Sequence, residues 1–234
     1  MDIAQTFAAT FVDELAAQGV EYACVSPGSR SAPIAMALQR HPRIKVIIQI
    51  DERSGSFFGL GLGKATGKPA VLVCTSGTAA AEFHPAVIEA SYSRTPLIVI
   101  TADRPPELQD VGANQAIDQQ HLYGTAVRWF FDPGPPVEIP GAARVWRRLA
   151  ARAVAEAAGG PVHINLPFRE PLVPPPGQAP SAEGESGQSI TSGRMLPTQA
   201  QLANLASALQ GARRPLVVAG EMRDGERQDR KSVV

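Results

Sequence analysis

Two arginines, a glutamate and several turns rich in Ser, Thr and Gly stand at the ends of short apolar runs, and that placement points to chemistry. The first run leads into Ser26-Pro27-Gly28-Ser29-Arg30-Ser31-Ala32-Pro33. The second leads into Asp51-Glu52-Arg53-Ser54-Gly55, and the third into Thr75-Ser76-Gly77-Thr78. The fourth leads into Ala102-Asp103-Arg104-Pro105-Pro106-Glu107 and on to Asn114-Gln115. Guanidinium forks, backbone donors and one carboxylate gathered on a single rim suit a small anionic ligand.

Glu52 is the candidate for proton chemistry. It follows an apolar run and opens a helical pattern, where a carboxylate already gains from the helix dipole. Buried, the same carboxyl would titrate nearer neutrality and could exchange protons. Asp51 is an equal candidate on position alone. The turn Thr75–Thr78 lacks the lysine of a phosphate-binding P-loop and the Gly-x-Ser-x-Gly of a hydrolase. It reads as a tight strand-to-helix turn whose amides face a ligand. Gly59-Leu60-Gly61-Leu62-Gly63 does not read as a dinucleotide loop, because its glycines come two turns inside the helix that Glu52 begins. Gly55, Gly59 and Gly63 lie four apart, and their face should admit a close neighbour. His41, His84, His121 and His163 show no metal-ligand spacing and read as structural.

The elements that position these residues follow from periodicity. Ile3, Phe7, Phe11 and Leu15 form one apolar helical stripe, with Gly19 placed to end it. Strands are expected over 22–25, 45–50, 70–74, 96–101, 126–131 and 161–166. Helices are expected over 33–39, 52–65, 78–91 and 141–158. The strand runs are apolar on both faces, which suits a parallel sheet covered by helices on each side. The fold class is therefore α/β, a doubly wound parallel sheet, with ligands beyond the carboxyl ends of its strands. After residue 170 a Pro/Gly/Ser-rich stretch reads as a linker. A helix over 197–209 and a strand over 215–219 then open a second α/β unit too small to hold a core, so the sequence reads as cut off inside it.

Composition limits the function. The chain has 234 residues with Lys+Arg and Asp+Glu both 22, so its zero net charge gives no footprint for nucleic acid or an anionic membrane. No apolar run is long enough to span a bilayer, and no signal peptide is apparent. Cys24 and Cys74 end apolar runs and read as small buried hydrophobes, in keeping with a reducing cytoplasm.

The four rim motifs together resemble the 2-succinyl-5-enolpyruvyl-6-hydroxy-3-cyclohexene-1-carboxylate synthases, thiamine-diphosphate enzymes of menaquinone biosynthesis. Glu52 with Thr75–Thr78 would mark only some thiamine-diphosphate enzyme. The Ser-Arg-Ser and Asp-Arg-Pro-Pro elements mark this one. The resemblance implies a pyrimidine-binding domain over 1–170, a linker over 171–196 and the start of a central domain over 197–234. It implies that Glu52 is catalytic and, with Pro27, Gly28, Ser76, Gly77 and Thr78, binds the cofactor. Ser29, Arg30, Arg104, Asn114 and Gln115 match substrate-binding positions. The implied reaction decarboxylates 2-oxoglutarate and adds the product to isochorismate. Thiamine diphosphate and Mg2+ (or manganese) are the implied cofactors. Their diphosphate and metal ligands belong to a C-terminal domain this sequence lacks, so the chain alone is expected to be inactive. A homo-oligomer, dimer or tetramer, completes the site. Two alternatives stand beside it: an acetolactate-synthase-like carboligase, and a non-catalytic module that binds a small acid.

Overall fold

The computed structural model describes residues 2–173, 179–184, 187, 189–191, 193, 196–216 and 218. They fall into two units, Met1–Ile190 and Thr191–Val234.

The first unit carries six strands: β1 (Tyr22–Val25), β2 (Lys45–Ile48), β3 (Ala70–Cys74), β4 (Leu97–Asp103), β5 (Trp129–Phe131) and β6 (Pro161–Pro167). All neighbours pair parallel, in the order β2-β1-β3-β4-β6-β5. Its helices are α1 (Ile3–Ala17), α2 (Ala32–Arg40), α3 (Glu52–Thr66), α4 (Thr78–Glu82), α5 (His84–Tyr92) and α6 (Ala142–Ala157). Alternate strand residues feed two cores, because successive side chains point to opposite faces. Val71, Val73, Ile98, Ile100, Val162 and Ile164 pack with Phe7, Phe11 and Leu15 of α1, Ile34 and Leu38 of α2 and Trp146 of α6. Leu72, Cys74, Leu97 and Val99 pack with Leu60 of α3, Ala80 of α4 and Val87 of α5. The doubly wound sheet is thus the architecture observed.

Three expectations are corrected. The helix over 78–91 is two helices, α4 and α5, broken at Phe83. Pro85 has no N–H to continue the hydrogen-bond ladder, so a new helix starts there. The strand over 126–131 shrinks to β5, since Gly124–Ala126 forms a 3-10 turn. β2 is not covered on both faces; it is an edge strand with Lys45 and Ile48 exposed.

α1 is capped by Asp2, whose carboxylate accepts from the Ala4 and Gln5 amides, and Gly19 follows its end at φ +93°. Of the expected linker, Ser181 N donates to Thr10 Oγ1 and Gly187 N to Glu14. Its Pro174-Pro175-Pro176 run lies outside the described residues. In the second unit, α7 (Gln199–Gly211) starts with a capping box between Thr198 and Gln201. Of the strand expected over 215–219, residues 217 and 219 lie outside the described residues. Among the described residues no helix is long and apolar enough to cross a membrane.

Candidate functional site

The turns that follow β1, β3 and β4 meet at the carboxyl edge of the sheet, and each is shaped by its glycines or caps. A Cβ on Gly28 would lie 2.3 Å from that of Thr75, so the β1 and β3 turns touch as only a glycine allows. Gly77 sits at φ +85°, and a Cβ there would lie 2.9 Å from Gln115 Cγ. Gln115 is itself left-handed, at φ 58°. Its side-chain amide donates to the Ser76 carbonyl at 2.9 Å. Arg104 Nη1 hydrogen-bonds Ser76 Oγ. Ser76, Gly77, Arg104 and Gln115 therefore form one contiguous patch.

Arg30 is buried at the start of α2. Its Nη1 donates to the Phe168 carbonyl at 2.8 Å, and its Nε has no partner. The nearest carboxylate, the exposed Glu170, is 3.7 Å from Nη2. Burial, and then the Arg30 charge, lower the Arg104 pKa from its ordinary value. Two guanidiniums held close, without a full carboxylate partner between them, are arranged for an incoming anion. Pro27, Ser29, Thr78 and Asn114 are exposed along the same turns.

The glutamate and aspartate that the sequence left undecided have different surroundings. Asp51 caps α3: its Oδ1 accepts from Ser54 N at 2.6 Å, and that bond lowers its pKa. Glu52 is the first residue of α3 and half-buried. Its charge reaches inward, helping to raise the pKa of the buried Cys74 thiol, although burial raises it more. The glycine stripe of α3 does what its spacing predicts. A Cβ on Gly59 would lie 2.3 Å from Leu72 Cδ2, and one on Gly63 2.6 Å from the Pro96 carbonyl. The missing side chains let α3, and Glu52 with it, lie against the sheet.

Sequence reasoning missed a buried polar network behind the patch. Asn165 of β6 donates to Asp103 at 2.8 Å and to Asp132 at 2.9 Å. It accepts from Thr101 and from Gln119, each at 2.8 Å. Because Thr101 donates to Asn165, it accepts from His163 Nε2 at 2.7 Å, which leaves His163 Nδ1 without a partner. Burial drives the His163 pKa down to about 3 and raises that of Asp103. The available signal was a polar residue inside an apolar strand, Asn165 between Ile164 and Leu166. A cleft of about 410 Å³ lies in front of the network, lined by Asp103, Gln109, Asp110, Gln119 and Gln120 among others.

The aminopyrimidine half of a thiamine diphosphate would find here a carboxyl, Glu52 at the start of α3, and the turns that follow β1 and β3. For the diphosphate and its metal they offer less. Among the described residues no group of three His, Cys, Asp or Glu side chains could hold a metal ion.

The comparisons agree with this geometry. The family model for the thiamine pyrophosphate enzyme, N-terminal TPP binding domain, matches residues 5–122. The chain is 51% identical to a 2-succinyl-5-enolpyruvyl-6-hydroxy-3-cyclohexene-1-carboxylate synthase of Geobacillus kaustophilus, over 94% of this chain and 39% of that protein. It is 52% identical to the same-named enzyme of Bacillus velezensis (91% and 38%) and 47% identical to that of Haloarcula marismortui (94% and 40%). A thiamine diphosphate-dependent 4-hydroxybenzoylformate decarboxylase from Rhodococcus jostii shares the fold, with a TM-score of 0.72 at 19% identity over 90% of this chain and 38% of that one. The chain thus spans about two-fifths of the length of the curated relatives it matches. With the model covering half its length and the sheet, helices and rim in place, the chain belongs to the thiamine pyrophosphate enzymes, as their N-terminal TPP-binding domain.

Proposed function

We propose that this chain forms the pyrimidine-binding part, residues 1–170, of a synthase that decarboxylates 2-oxoglutarate and joins the product to isochorismate. Residues 171–196 are then the linker and 197–234 the start of a central domain. The observation that carries the reading is the pair Arg30 and Arg104, two cations on one rim, Arg30 with the exposed Glu170 as its carboxylate partner, and Glu52 opening α3. Both proposed substrates are carboxylates, and identity near 50% to three proteins named for this activity supports the choice.

Thiamine diphosphate, when bound, supplies the electron sink for decarboxylation and carbon–carbon bond formation. The Glu52 carboxyl holds or releases a proton at the pyrimidine ring nitrogen. Pro27, Gly28, Ser76, Gly77 and Thr78 line the ring with backbone groups. Arg30 and Arg104 grip substrate carboxylates with planar forks, which an ammonium could not replace. Ser29, Asn114 and Gln115 hydrogen-bond the hydroxyls and remaining oxygens. Magnesium and the diphosphate are held by residues beyond this chain.

A second copy is the proposed partner. α3, which begins at Glu52, packs on α5, and the two helices expose Phe57, Phe58, Ile88 and Tyr92. An apolar face of that size beside the site suits a subunit contact. We propose a cytoplasmic location on the two free, buried thiols.

The test is Glu52→Gln in the complete enzyme. Glutamine keeps the size and loses the titrating proton. The variant should fold normally and lose nearly all carboligation. Retention of more than about a tenth of the rate, a loss under ~1.4 kcal/mol in barrier terms, would remove Glu52 from this role.

A further inference from the structure

We infer that Gln119 and Asn165 are positioning residues that lock the Gly77 turn and the Arg104–Gln115 loop into one rigid unit. The inference rests on the function proposed above and deepens it, because those two segments carry the groups that meet cofactor and substrate.

Every N–H of both side-chain amides is donated, and each amide oxygen accepts at least one bond. Gln119 Oε1 accepts from Gly77 N at 2.9 Å, and its Nε2 donates to the Ala102 carbonyl at 3.2 Å and to Asn165 Oδ1 at 2.8 Å. Asn165 uses both lone-pair directions of Oδ1, on Thr101 and Gln119, and both Nδ2 hydrogens, on Asp103 and Asp132. Asp103 Oδ1 in turn accepts from Arg104 N at 2.7 Å. Arg104 is therefore two hydrogen bonds from Asn165, and Gly77 is one from Gln119. The partners come from the β3 turn, β4, the loop after β4, the segment after β5, and β6.

Gln119, Asn165, Asp103 and Thr101 are all at or below 1% exposure. Packing alone would favour apolar groups here, as at Ile164 and Leu166, since a buried amide gains little net stability even when satisfied. What such a network provides is a single geometry, because any shift orphans several buried groups at once.

The test compares Gln119→Glu with Gln119→Met in the complete enzyme supplied with thiamine diphosphate and magnesium. Glutamate keeps the acceptor for Gly77 and turns the donor facing Ala102 and Asn165 into an acceptor. Methionine keeps the volume and removes every hydrogen bond. At pH 8 both should raise KM for isochorismate at least about tenfold, the weight of one lost buried hydrogen bond. As pH falls, only Gln119→Glu should recover, because a protonated carboxyl regains one donor. The charged and titrating groups around it are Asp103 and Arg104 at the end of β4, Asp118 beside it, Asp132 after β5 and His163 on β6. Asp103 and Asp132 favour that protonation. Wild-type KM in either variant, or identical pH profiles for the two, overturns the lock.

Amide exchange on the wild-type protein gives a reading that needs no variant to fold. The Gly77 amide should be protected to the level of the β3 amides, and exchange at the rate of an open surface turn overturns the lock. If the wild-type enzyme converts neither substrate, the proposed function fails, while exchange at Gly77 still judges the lock.

Discussion

Arg30 and Arg147 are both buried arginines whose Nε lacks a partner, yet the protein completes only one of them. Arg147 on α6 reaches Asp13 at 2.8 Å, Glu14 at 3.5 Å and the Ser181 carbonyl at 3.1 Å. Arg30 has one carbonyl and one exposed glutamate at 3.7 Å, with Arg104 adding like charge. The first arginine is neutralised from within and serves the seam of α1 and α6. The second is left electrically open at the carboxyl edge of the sheet. A zero net charge for the whole chain conceals this local imbalance. Burial of an arginine is thus no sign of its role; the supply of anions around it is.

The sharpest way to break the comparison is to remove each guanidinium. Arg147→Met takes a buried cation away from Asp13 and the fully buried Glu14 and should cost about 3–5 kcal/mol in urea unfolding. Arg30→Met takes one donor from a carbonyl and relieves repulsion with Arg104, so about 1–2 kcal/mol is expected. Equal losses would erase the distinction drawn between the two sites.

His163 is a buried base of a third kind, one the fold keeps neutral. Its folded pKa is about 3, below the ordinary 6.5 that it regains on unfolding. The unfolded chain therefore takes up a proton first. This group's contribution is complete above pH 6.5 and declines as pH falls towards 3. Between pH 7.5 and 5 the loss should be about 2 kcal/mol. His163→Gln should flatten the profile over that interval. An unchanged slope would mean that the imidazole is charged in the folded state.

A smaller effect sharpens the comparison from the ligand side. Succinate, a dicarboxylate probe, should raise the unfolding temperature of the wild type. At ten times its Kd the stabilisation should be about 1.4 kcal/mol, and Arg30→Met with Arg104→Met should abolish it. A gain that survives in the double variant would place the anion elsewhere. In the complete enzyme, Arg30→Lys and Arg104→Lys should raise KM for isochorismate several-fold and leave cofactor affinity nearly unchanged, since charge persists and the bidentate fork is lost. Steady-state kinetics with cofactor titration measures both.

Much of the architecture was legible because the signals are local. The stripe Ile3, Phe7, Phe11 and Leu15 is α1, and the apolar runs are the strands, because a sheet buried on both faces needs little else. Pro85 is an equally local signal, but the helical pattern continues on both sides of it and masks the break between α4 and α5. The rim turns were legible for the same local reason: each follows its strand. Asp51 and Glu52 could not be separated in one dimension, because capping is a matter of one side chain reaching one amide. The Gln119–Asn165 network was hidden for a different reason. Its members are far apart in sequence, and an isolated Asn in an apolar strand does not disclose its partners.

The strand order has a consequence in time as well as in space. β4 and β6 are neighbours, yet Thr101 and Asn165, which join them, are 64 residues apart in the chain. Closing a loop of that size comes slowly compared with forming α1 or pairing β1 with β2. The site-bearing end of the sheet is therefore expected to assemble after most of the core, once α6 has carried β6 into place. Pulse-labelled exchange during refolding should find Val71 protected before Gly77, and the reverse order would refute the sequence of events. On that account a nascent chain buries most of its core first, and the turns at the carboxyl edge are among the last parts to mature.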